Sequence, residues 1–503
     1  MSPIHETSQA SVQSWASTSG AYGVRVAIST LAKVALGTML TSWLAHGPLT
    51  LWVLATSFGT VLSQIVDAGF QHLAVRASTV GLTTARERRA HALSLLRLIM
   101  MLGVGCTLLA VGLAIVAHQY WLRAYNLRTS EVCVVFGAAM IGAFIQLSGT
   151  TLAAYLIGSE RPWSAILCTG AGIAGWALVA GLGAALNISF MITTISAQLP
   201  FVVVALFIWT LLGKESFGAQ SRKPSVPLAH QRVLGPTTGR DLLPFMLFNL
   251  AGFIITGVDI YVVAALEPGL VAGYSYAIQA TSLCVLVCTA IATPLVALSA
   301  RRSTLVQPFL TIRPVVRATL VVELICALFI GLGCLWFRTA STIWLGSVGH
   351  DAAMVFAPLA LAAAFRSTLL PALFAAVGSG HLKAFVRPAL YEASCNAGAS
   401  LVLGLRYGAL GVATGSLVGS SIAILLFQNT VKQWRHDAVE GSSLVRIVVV
   451  GAVMLTGLSV ATNSISSLTS RVAATVLLLV GVVVALMLYV RPRQIAIGQV
   501  NTA

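Results

Sequence analysis

The chain alternates long apolar runs with short polar gaps over almost its whole length. A helix needs about 20 apolar residues to cross a hydrocarbon layer of about 30 Å, and this measure separates fourteen runs. In chain order, spans 1 to 14 cover 22–44, 50–72, 91–117, 131–156, 165–186, 190–213, 241–265, 271–298, 314–336, 351–377, 385–405, 410–431, 444–462 and 472–490. Backbone polar groups cannot stay unpaired in lipid, so each run is predicted to be a helix. The predicted fold class is an all-α polytopic membrane protein with about 14 transmembrane helices.

The basic residues in the gaps between spans predict an orientation. With the N-terminus in the cytoplasm, twenty-one of the 30 Lys and Arg residues fall in cytoplasmic gaps or flanks, and five fall on the opposite side. The remaining four, which lie inside spans, are Arg25, Lys33, Arg97 and Arg366. Loops rich in Lys and Arg stay in the cytoplasm, so both termini are predicted to be cytoplasmic.

The loop lengths repeat between the two halves of the chain. Spans 1–6 and spans 7–12 show the same order of short, medium and basic gaps, and Gly158-Ser159 is matched by Gly378-Ser379 at an offset of 220. A repeat with an even number of spans keeps its orientation, which predicts two pseudo-symmetric lobes about an axis along the membrane normal. The predicted segments are a polar N-terminus (1–21), an N-lobe (22–213), a linker (214–240), a C-lobe (241–431) and a C-terminal part holding spans 13 and 14 (432–503).

Composition supports the membrane class, since 57% of residues are hydrophobic and 9% are charged. The net charge of +16 does not indicate nucleic-acid binding, because the basic residues sit in short gaps between apolar runs and not on one soluble surface. The eight cysteines lie in or beside apolar runs without a CxxC pair, so inert buried thiols are the favoured interpretation and no metal or cofactor is predicted. The first twenty residues lack the basic region and apolar core of a cleaved signal.

Four short motifs and the layout of six, six and two spans resemble the Wzx-type polysaccharide flippases of the multidrug/oligosaccharidyl-lipid/polysaccharide exporter superfamily. The motifs are Asp67-Ala-Gly69-Phe70, Gly273-Tyr274-Ser-Tyr276-Ala277, Thr293-Pro294 ahead of Arg301 and Arg302, and Arg406-Tyr-Gly408-Ala-Leu-Gly411-Val-Ala413.

The resemblance implies a transporter of the bacterial inner membrane and not an enzyme. Its implied substrate is an oligosaccharide repeat unit on a polyprenyl diphosphate, moved to the periplasmic leaflet by alternating access for exopolysaccharide or O-antigen-type synthesis. Membrane lipid, the polymerase and other export machinery are the implied partners. No ATP use is implied, and the chain has no GxxxxGK[ST] loop.

The basic residues inside spans are the candidate substrate ligands: Lys33, Arg366, Arg25 and Arg97. A charge at mid-bilayer is costly unless it finds a partner, a cavity or an exit to water. Lys33 and Arg366 lie mid-span, and from opposite lobes they are predicted to hold the diphosphate. A structural ion pair remains the alternative for Lys33, and the reach of a long side chain to the membrane surface remains the alternative for Arg25 and Arg97.

The acidic residues inside spans are candidates for coupling to an ion. Asp259 and Glu323 are the candidates for carrying a proton or Na⁺, with pairing to a basic residue as the alternative for both and for Glu392. Asp67, at the end of span 2, is expected to make a helix-end contact or to contact Arg76.

Two other functions compete with the flippase hypothesis. A multidrug exporter of the same superfamily would favour acidic and aromatic groups in its cavity. A membrane glycosyltransferase or polymerase would need a sizeable loop with catalytic groups, whereas the longest internal loop, 214–240, holds one carboxylate, Glu215.

Overall fold

A computed structural model gives the structure of the chain in several ranges. The described residues are 24–25, 27–29, 31–32, 35–37, 39–40, 43–44, 46–67, 69–80, 85–117, 128–158, 161–213, 239–303 and 312–434. Spans 13 and 14, most of the predicted linker and Lys33 lie outside these residues.

The described part of the chain is a bundle of α-helices. After a first helical stretch within 24–44, the helices are His46–Asp67, Phe70–Val80, Ala85–Ala117, Thr129–Gly158, Pro162–Ala185, Phe190–Ser196, Leu199–Leu212, Gly239–Leu266, Val271–Ala292, Pro294–Ser303, Ile312–Leu345, Ser347–Ser367, Leu370–Ser379 and Lys383–Trp434. Nine helical segments in this part of the chain are long and apolar enough to cross a membrane. These nine account for predicted spans 3 to 12, because spans 11 and 12 are counted as one kinked helix. The all-α polytopic prediction is confirmed.

Several predicted spans are each built from two helices. Span 8 breaks before Pro294 and span 10 breaks before Pro371, where the ring removes a backbone donor from the helix. Span 2 was predicted to run on to residue 72, which is wrong: its helix ends at Asp67 and a second helix starts at Phe70. Gly69 between them has a φ of +81°, a left-handed conformation that ends a helix at little cost for glycine.

The two ends of the bundle differ in their side chains. The basic end is the end at which span 3 begins and span 6 ends. Arg86, Arg88 and Arg89 lie there. At the opposite end, called the far end, span 4 begins and span 5 ends.

The two halves, spans 1–6 and spans 7–12, pack against each other at both ends. At the basic end one apolar cluster joins Phe70 and Tyr155 of the first half to Val377 and Phe385 of the second. At the far end another cluster joins Leu51 to Val263, Tyr274 and Val412. The interior between the halves is therefore bounded by apolar contacts at both ends of the bundle.

Two tyrosines of the second half donate hydrogen bonds to the backbone of the first half in the outer part of the bundle. Tyr276 Oη lies 3.0 Å from the Gly37 carbonyl oxygen, and Tyr261 Oη lies 3.3 Å from that of Leu54. The ring of Tyr276 lies so near that a Cβ at position 37 would stand 2.8 Å from it. Closure at the far end thus depends on two specific polar contacts as well as on apolar packing.

Candidate functional site

The second half holds a cluster of buried polar side chains from spans 7, 11 and 12. Asp259 is 2% exposed and accepts a hydrogen bond from the Ser416 hydroxyl. The Ser400 hydroxyl lies 3.0 Å from Asn396 Oδ1 and 3.1 Å from the Val412 carbonyl oxygen. These oxygens come from two spans that pack on the span carrying the carboxylate, and together they form a buried polar cluster.

Asn396 connects this cluster to the backbone of span 7. Its Nδ2 donates a hydrogen bond of 3.0 Å to the Ile255 carbonyl oxygen, one turn before Asp259. Asn396, Ser400 and Ser416 are all buried, so each needs such a partner to avoid the cost of an unpaired polar group. The network therefore fixes the position of Asp259 relative to spans 11 and 12.

An ion pair lies next to the cluster. Arg366 on span 10 donates from Nε to Glu392 Oε1 on span 11 over 2.7 Å, and the two side chains are 20% and 6% exposed. Arg366 also lies within electrostatic reach of Asp259. Arg366 Nη2 and Asp259 Oδ1 are buried and have no hydrogen-bond partner among the described residues.

The charges of this group do not balance. Among the described residues, Asp259 and Glu392 supply two carboxylates, whereas Arg366 supplies one guanidinium. A buried net charge of this kind is costly in a membrane interior. One further cation, either a proton or a metal ion, would neutralise the group.

Spans 11 and 12 approach closely because glycine recurs at every fourth position of span 12. A Cβ at Gly411, Gly415 or Gly419 would collide with Leu403, Ser400 and Asn396 of span 11 respectively. Small residues at this spacing let two transmembrane helices meet backbone to backbone. This contact places Ser400 and Asn396 beside Ser416.

Glu267 at the end of span 7 holds the turn between spans 11 and 12. Gly408 has a φ of +59°, and the Ala409 backbone N–H donates to Glu267 Oε2 over 2.8 Å. A side chain at 408 would meet the Glu267 carboxylate. The Gly408–Gly411 motif is therefore a tight turn held by the Glu267 carboxylate. This contact explains the glycine at position 408.

Arg25 lies inside the first half. With Gln146, Thr150 and Thr169 it lines a small gap of about 10 Å³ among spans 1, 4, 5 and 6. That volume is close to the minimum for one water molecule. Arg25 and Arg366 occupy the interiors of different halves and are not brought together.

Arg97 lies on the outer face of span 3. Its side chain is exposed, and so are Leu93, Met101 and Val104 on the same face of the helix. Apolar side chains exposed in this way are expected to face lipid, so the placement favours the alternative in which Arg97 reaches the membrane surface. The predicted role of Lys33 falls on a residue outside the described ranges, and Glu323 is half-buried in span 9.

Asp67 makes the predicted helix-end contact. Its Oδ1 lies 3.3 Å from the Gln71 backbone nitrogen, which places the carboxylate at the start of the helix Phe70–Val80. Asp67 also lines a cavity of about 150 Å³ with Phe248 and Asn249 of span 7. An acid of the first half and an aromatic ring of the second thus share one space.

Sequence reasoning missed the polar residues around Asp259. Asn396, Ser400 and Ser416 were not selected, although the first two are one helical turn apart and therefore share a face. Gly411, Gly415 and Gly419 gave a second signal, since this pattern predicts a helix–helix contact. The pattern does not indicate which span packs against the glycines of span 12.

No family model matches the chain, and no curated protein matches it. Solved structures match it over most of its length. A MATE structure in complex with MaL6 aligns with a TM-score of 0.64 at 16% identity, over 84% of this chain and 96% of that one. An inward-facing multidrug resistance MATE transporter of the MOP superfamily gives 0.60 at 16% identity, over 83% and 100%.

A third match is a MOP superfamily transporter from Pyrococcus furiosus, described as having a binding pocket of reverse polarity that suggests a different function. It gives a TM-score of 0.60 at 16% identity, over 84% of this chain and 95% of that one. An outward-facing MATE transporter gives 0.59 at 15% identity, over 84% and 95%. The described bundle therefore has the fold of the MATE transporters of the MOP superfamily.

Proposed function

We propose that this protein is a flippase that moves a polyprenyl-diphosphate-linked oligosaccharide across the membrane by alternating access. The observation that carries the proposal is a guanidinium inside each half of the bundle, Arg25 in the first and Arg366 in the second. Structures of this fold include inward-facing and outward-facing transporters, which supports a rocking motion of the two halves. They are transporters, which favours transport over glycosyl transfer or polymerisation.

The basic side chains are suited to an anionic headgroup. A guanidinium matches the geometry of phosphate oxygens, and Glu392 holds that of Arg366 in a fixed orientation while Nη2 remains available as a donor. Lys33 remains the proposed second cation at mid-membrane. Arg97 is left out of the proposed substrate ligands because of its place on the outer face.

Glycan export in a flippase-deficient strain tests this proposal. Arg366→Gln and Lys33→Ala should each abolish surface polysaccharide when export is normalised to the amount of protein in the membrane on a blot, and Lys33→Arg and Arg366→Lys should keep part of the activity. Arg97→Gln is the matched control, since it removes the same charge from the lipid-facing side, and export should persist. Full export by Arg366→Gln and Lys33→Ala combined would contradict the flippase proposal.

A multidrug exporter is the second candidate, and one observation favours it. Asp67 and Phe248 line a cavity between the halves, and an acid beside an aromatic ring suits an organic cation. Wild-type protein would then protect a drug-sensitive strain against ethidium, and Asp67→Asn would remove the protection. Such a result, together with no glycan export by the wild type, would replace the flippase proposal by this one.

For the driving force we infer coupling to one cation at Asp259. The two carboxylates and one guanidinium of the cluster leave a deficit of one positive charge, which a proton or Na⁺ would supply. Asp259→Asn should abolish the gradient-driven step in proteoliposomes. Ser416→Ala distinguishes the two ions. It should weaken coupling to Na⁺, which needs further oxygen ligands, and preserve coupling to a proton, which needs the carboxylate alone.

Unchanged gradient dependence in Asp259→Asn would shift the coupling role to Glu323, the other candidate acid. Glu323→Gln is therefore measured in parallel. Its expected effect is smaller, since Glu323 is half-buried and Asp259 is buried within a polar network.

For the location we propose the bacterial inner membrane with both termini in the cytoplasm. The support is the distribution of basic residues, twenty-one against five. Cysteines introduced at positions 225 and 495 should react with an impermeant thiol reagent from the cytoplasm, and one at 344 from the periplasm. Periplasmic labelling at 225 would reverse the orientation.

A further inference from the structure

Three buried cysteines of the second half meet at one point. Cys326 Sγ of span 9 lies 3.7 Å from Cys284 Sγ and 3.8 Å from Cys288 Sγ, both of span 8. The three sulfur atoms all lie within 4.8 Å of one another. The thiols are 1%, 0% and 4% exposed for Cys284, Cys288 and Cys326, so they are shielded from solvent.

Sulfur spacing of this size is the spacing within a metal–thiolate site. Sulfurs that share one metal at about 2.3 Å lie about 3.8 Å apart in a tetrahedral arrangement and about 4.0 Å apart in a planar trigonal one. The two separations from Cys326 Sγ, 3.7 and 3.8 Å, agree with these values. Because two sulfurs come from adjacent turns of span 8 and the third from span 9, backbone packing already holds the three donors together.

The chemistry of the donors selects a soft ion. Among the described residues the group consists of sulfur atoms alone, with no imidazole or carboxylate. Thiolates select Cu(I), zinc and iron–sulfur clusters, and structural zinc almost always takes four ligands. Three sulfurs without a fourth strong ligand fit three-coordinate Cu(I) best.

We propose that Cys284, Cys288 and Cys326 form a binding site for Cu(I) within the membrane part of the second half. Binding needs no change of oxidation state. Each cysteine that binds Cu(I) does so as a thiolate, so its proton is released on binding. The surrounding side chains are apolar and include Val322, Ile330 and Phe356.

The bound ion would connect spans 8 and 9. Cys326 Sγ also lies 3.8 Å from the Ala364 carbonyl oxygen, so span 10 packs against the group. A ligand that binds the folded chain and not the unfolded one raises its stability. Cu(I) should therefore raise the unfolding temperature of the protein. The thiols, assigned an inert role from the sequence, gain a chemical role because the third donor lies on another span.

Cu(I) binding to the full chain tests the proposal. Reduced protein in detergent, kept free of oxygen, is titrated against a chromophoric Cu(I) chelator. Wild type should withdraw one equivalent per chain, and X-ray absorption should give copper–sulfur distances of about 2.3 Å. Cys326→Ser removes the sulfur that contacts both others and should lower the affinity by at least about 100-fold.

Cys133→Ser is the matched control, because Cys133 is a half-buried free thiol in the first half. Its affinity and its Cu(I)-dependent rise in unfolding temperature should equal those of wild type. If Cys326→Ser does not fold, Cys284→Ser and Cys288→Ser are measured in its place, with the same expected loss. Failure of wild type to compete with the chelator, or equal affinity in wild type and the site variants, overturns the proposal.

Discussion

The two halves of the bundle share a packing contact but differ in their polar interiors. In the first half Gly158 lies against Val75 and Ser78, and a Cβ there would stand 2.6 Å from the Val75 carbonyl oxygen. In the second half Gly378 lies against Val296 and Ser299 in the same way. Gly158 and Gly378 are 220 positions apart and Val75 and Val296 are 221, so the repeat seen in the sequence recurs as a contact.

The polar groups do not follow this repeat. The second half buries Asp259, Glu392, Asn396, Ser400 and Ser416, whereas in the described part of the first half Arg88 is buried and Arg25 lines the small gap. A duplicated fold can thus keep the same contacts in both halves, while among the described residues the buried carboxylates lie in one of them. Substitutions at charged residues that differ between the halves, and at glycines that correspond, test this comparison.

The largest effect is expected for Arg366→Ala. It leaves two buried carboxylates without their guanidinium, which should lower the free energy of unfolding by about 3–5 kcal/mol. Arg25→Ala in the first half removes one half-buried charge that lies beside the neutral polar side chains of Gln146, Thr150 and Thr169, and should cost less. Both are measured by thermal unfolding in detergent.

A double variant checks the cause of this effect. Replacing Arg366 and Glu392 together by methionine removes the pair without leaving a lone charge there, and should restore most of the stability. Equal losses in Arg366→Ala and Arg25→Ala would show that the two halves do not differ in the way described.

A medium effect, equal in both halves, is expected at the repeated glycines. Gly158→Ala and Gly378→Ala each force a methyl group into a carbonyl oxygen, and each should cost about 1–3 kcal/mol. Gly105→Ala is the control: its Cβ would meet open space, so stability should be unchanged or higher by up to about 1 kcal/mol. A loss in one half alone would argue against a shared contact.

The smallest effect is expected for the tyrosines that join the halves. Tyr276→Phe removes the hydrogen bond to Gly37, worth about 0.5–1.5 kcal/mol, from the closed far end. The populations should shift toward a conformation open at that end. Spin labels at the exposed positions Ile188 and Trp344, one in each half, should show a larger share of long distances. An unchanged distance distribution would mean that apolar packing alone closes this end.

The spans were predictable because their signal is local. Each apolar run is long enough to cross a membrane, so the predicted limits of span 4 (131–156) and the helix Thr129–Gly158 agree within two residues. The breaks within spans were less predictable, since an apolar run continues through Asp67–Phe70 and Thr293–Pro294 without a change of composition. A single glycine or proline decides the conformation there.

The site was predictable only in part, because its contacts join distant spans. Asp259, Arg366 and Glu392 stood out as charges in apolar runs, and pairing between such residues was one of the alternatives. Which carboxylate contacts Arg366 depends on the rotation of spans 10 and 11 about their axes, and no single run encodes that rotation. The contact of Cys326 with Cys284 and Cys288 was not predictable for the same reason, since it depends on the rotation of spans 8 and 9 about their axes.

The glycine contact between spans 11 and 12 has a consequence for how the second half can move. Since backbone meets backbone at Gly411, Gly415 and Gly419, these two helices cannot slide or roll without a steric clash. They should move as one rigid body, carrying Ser400, Asn396 and Ser416 with them. If Asp259 carries the cation proposed above, these three side chains would keep their arrangement relative to one another while the halves move. The cation would then leave when water reaches the site, without separation of these oxygen atoms.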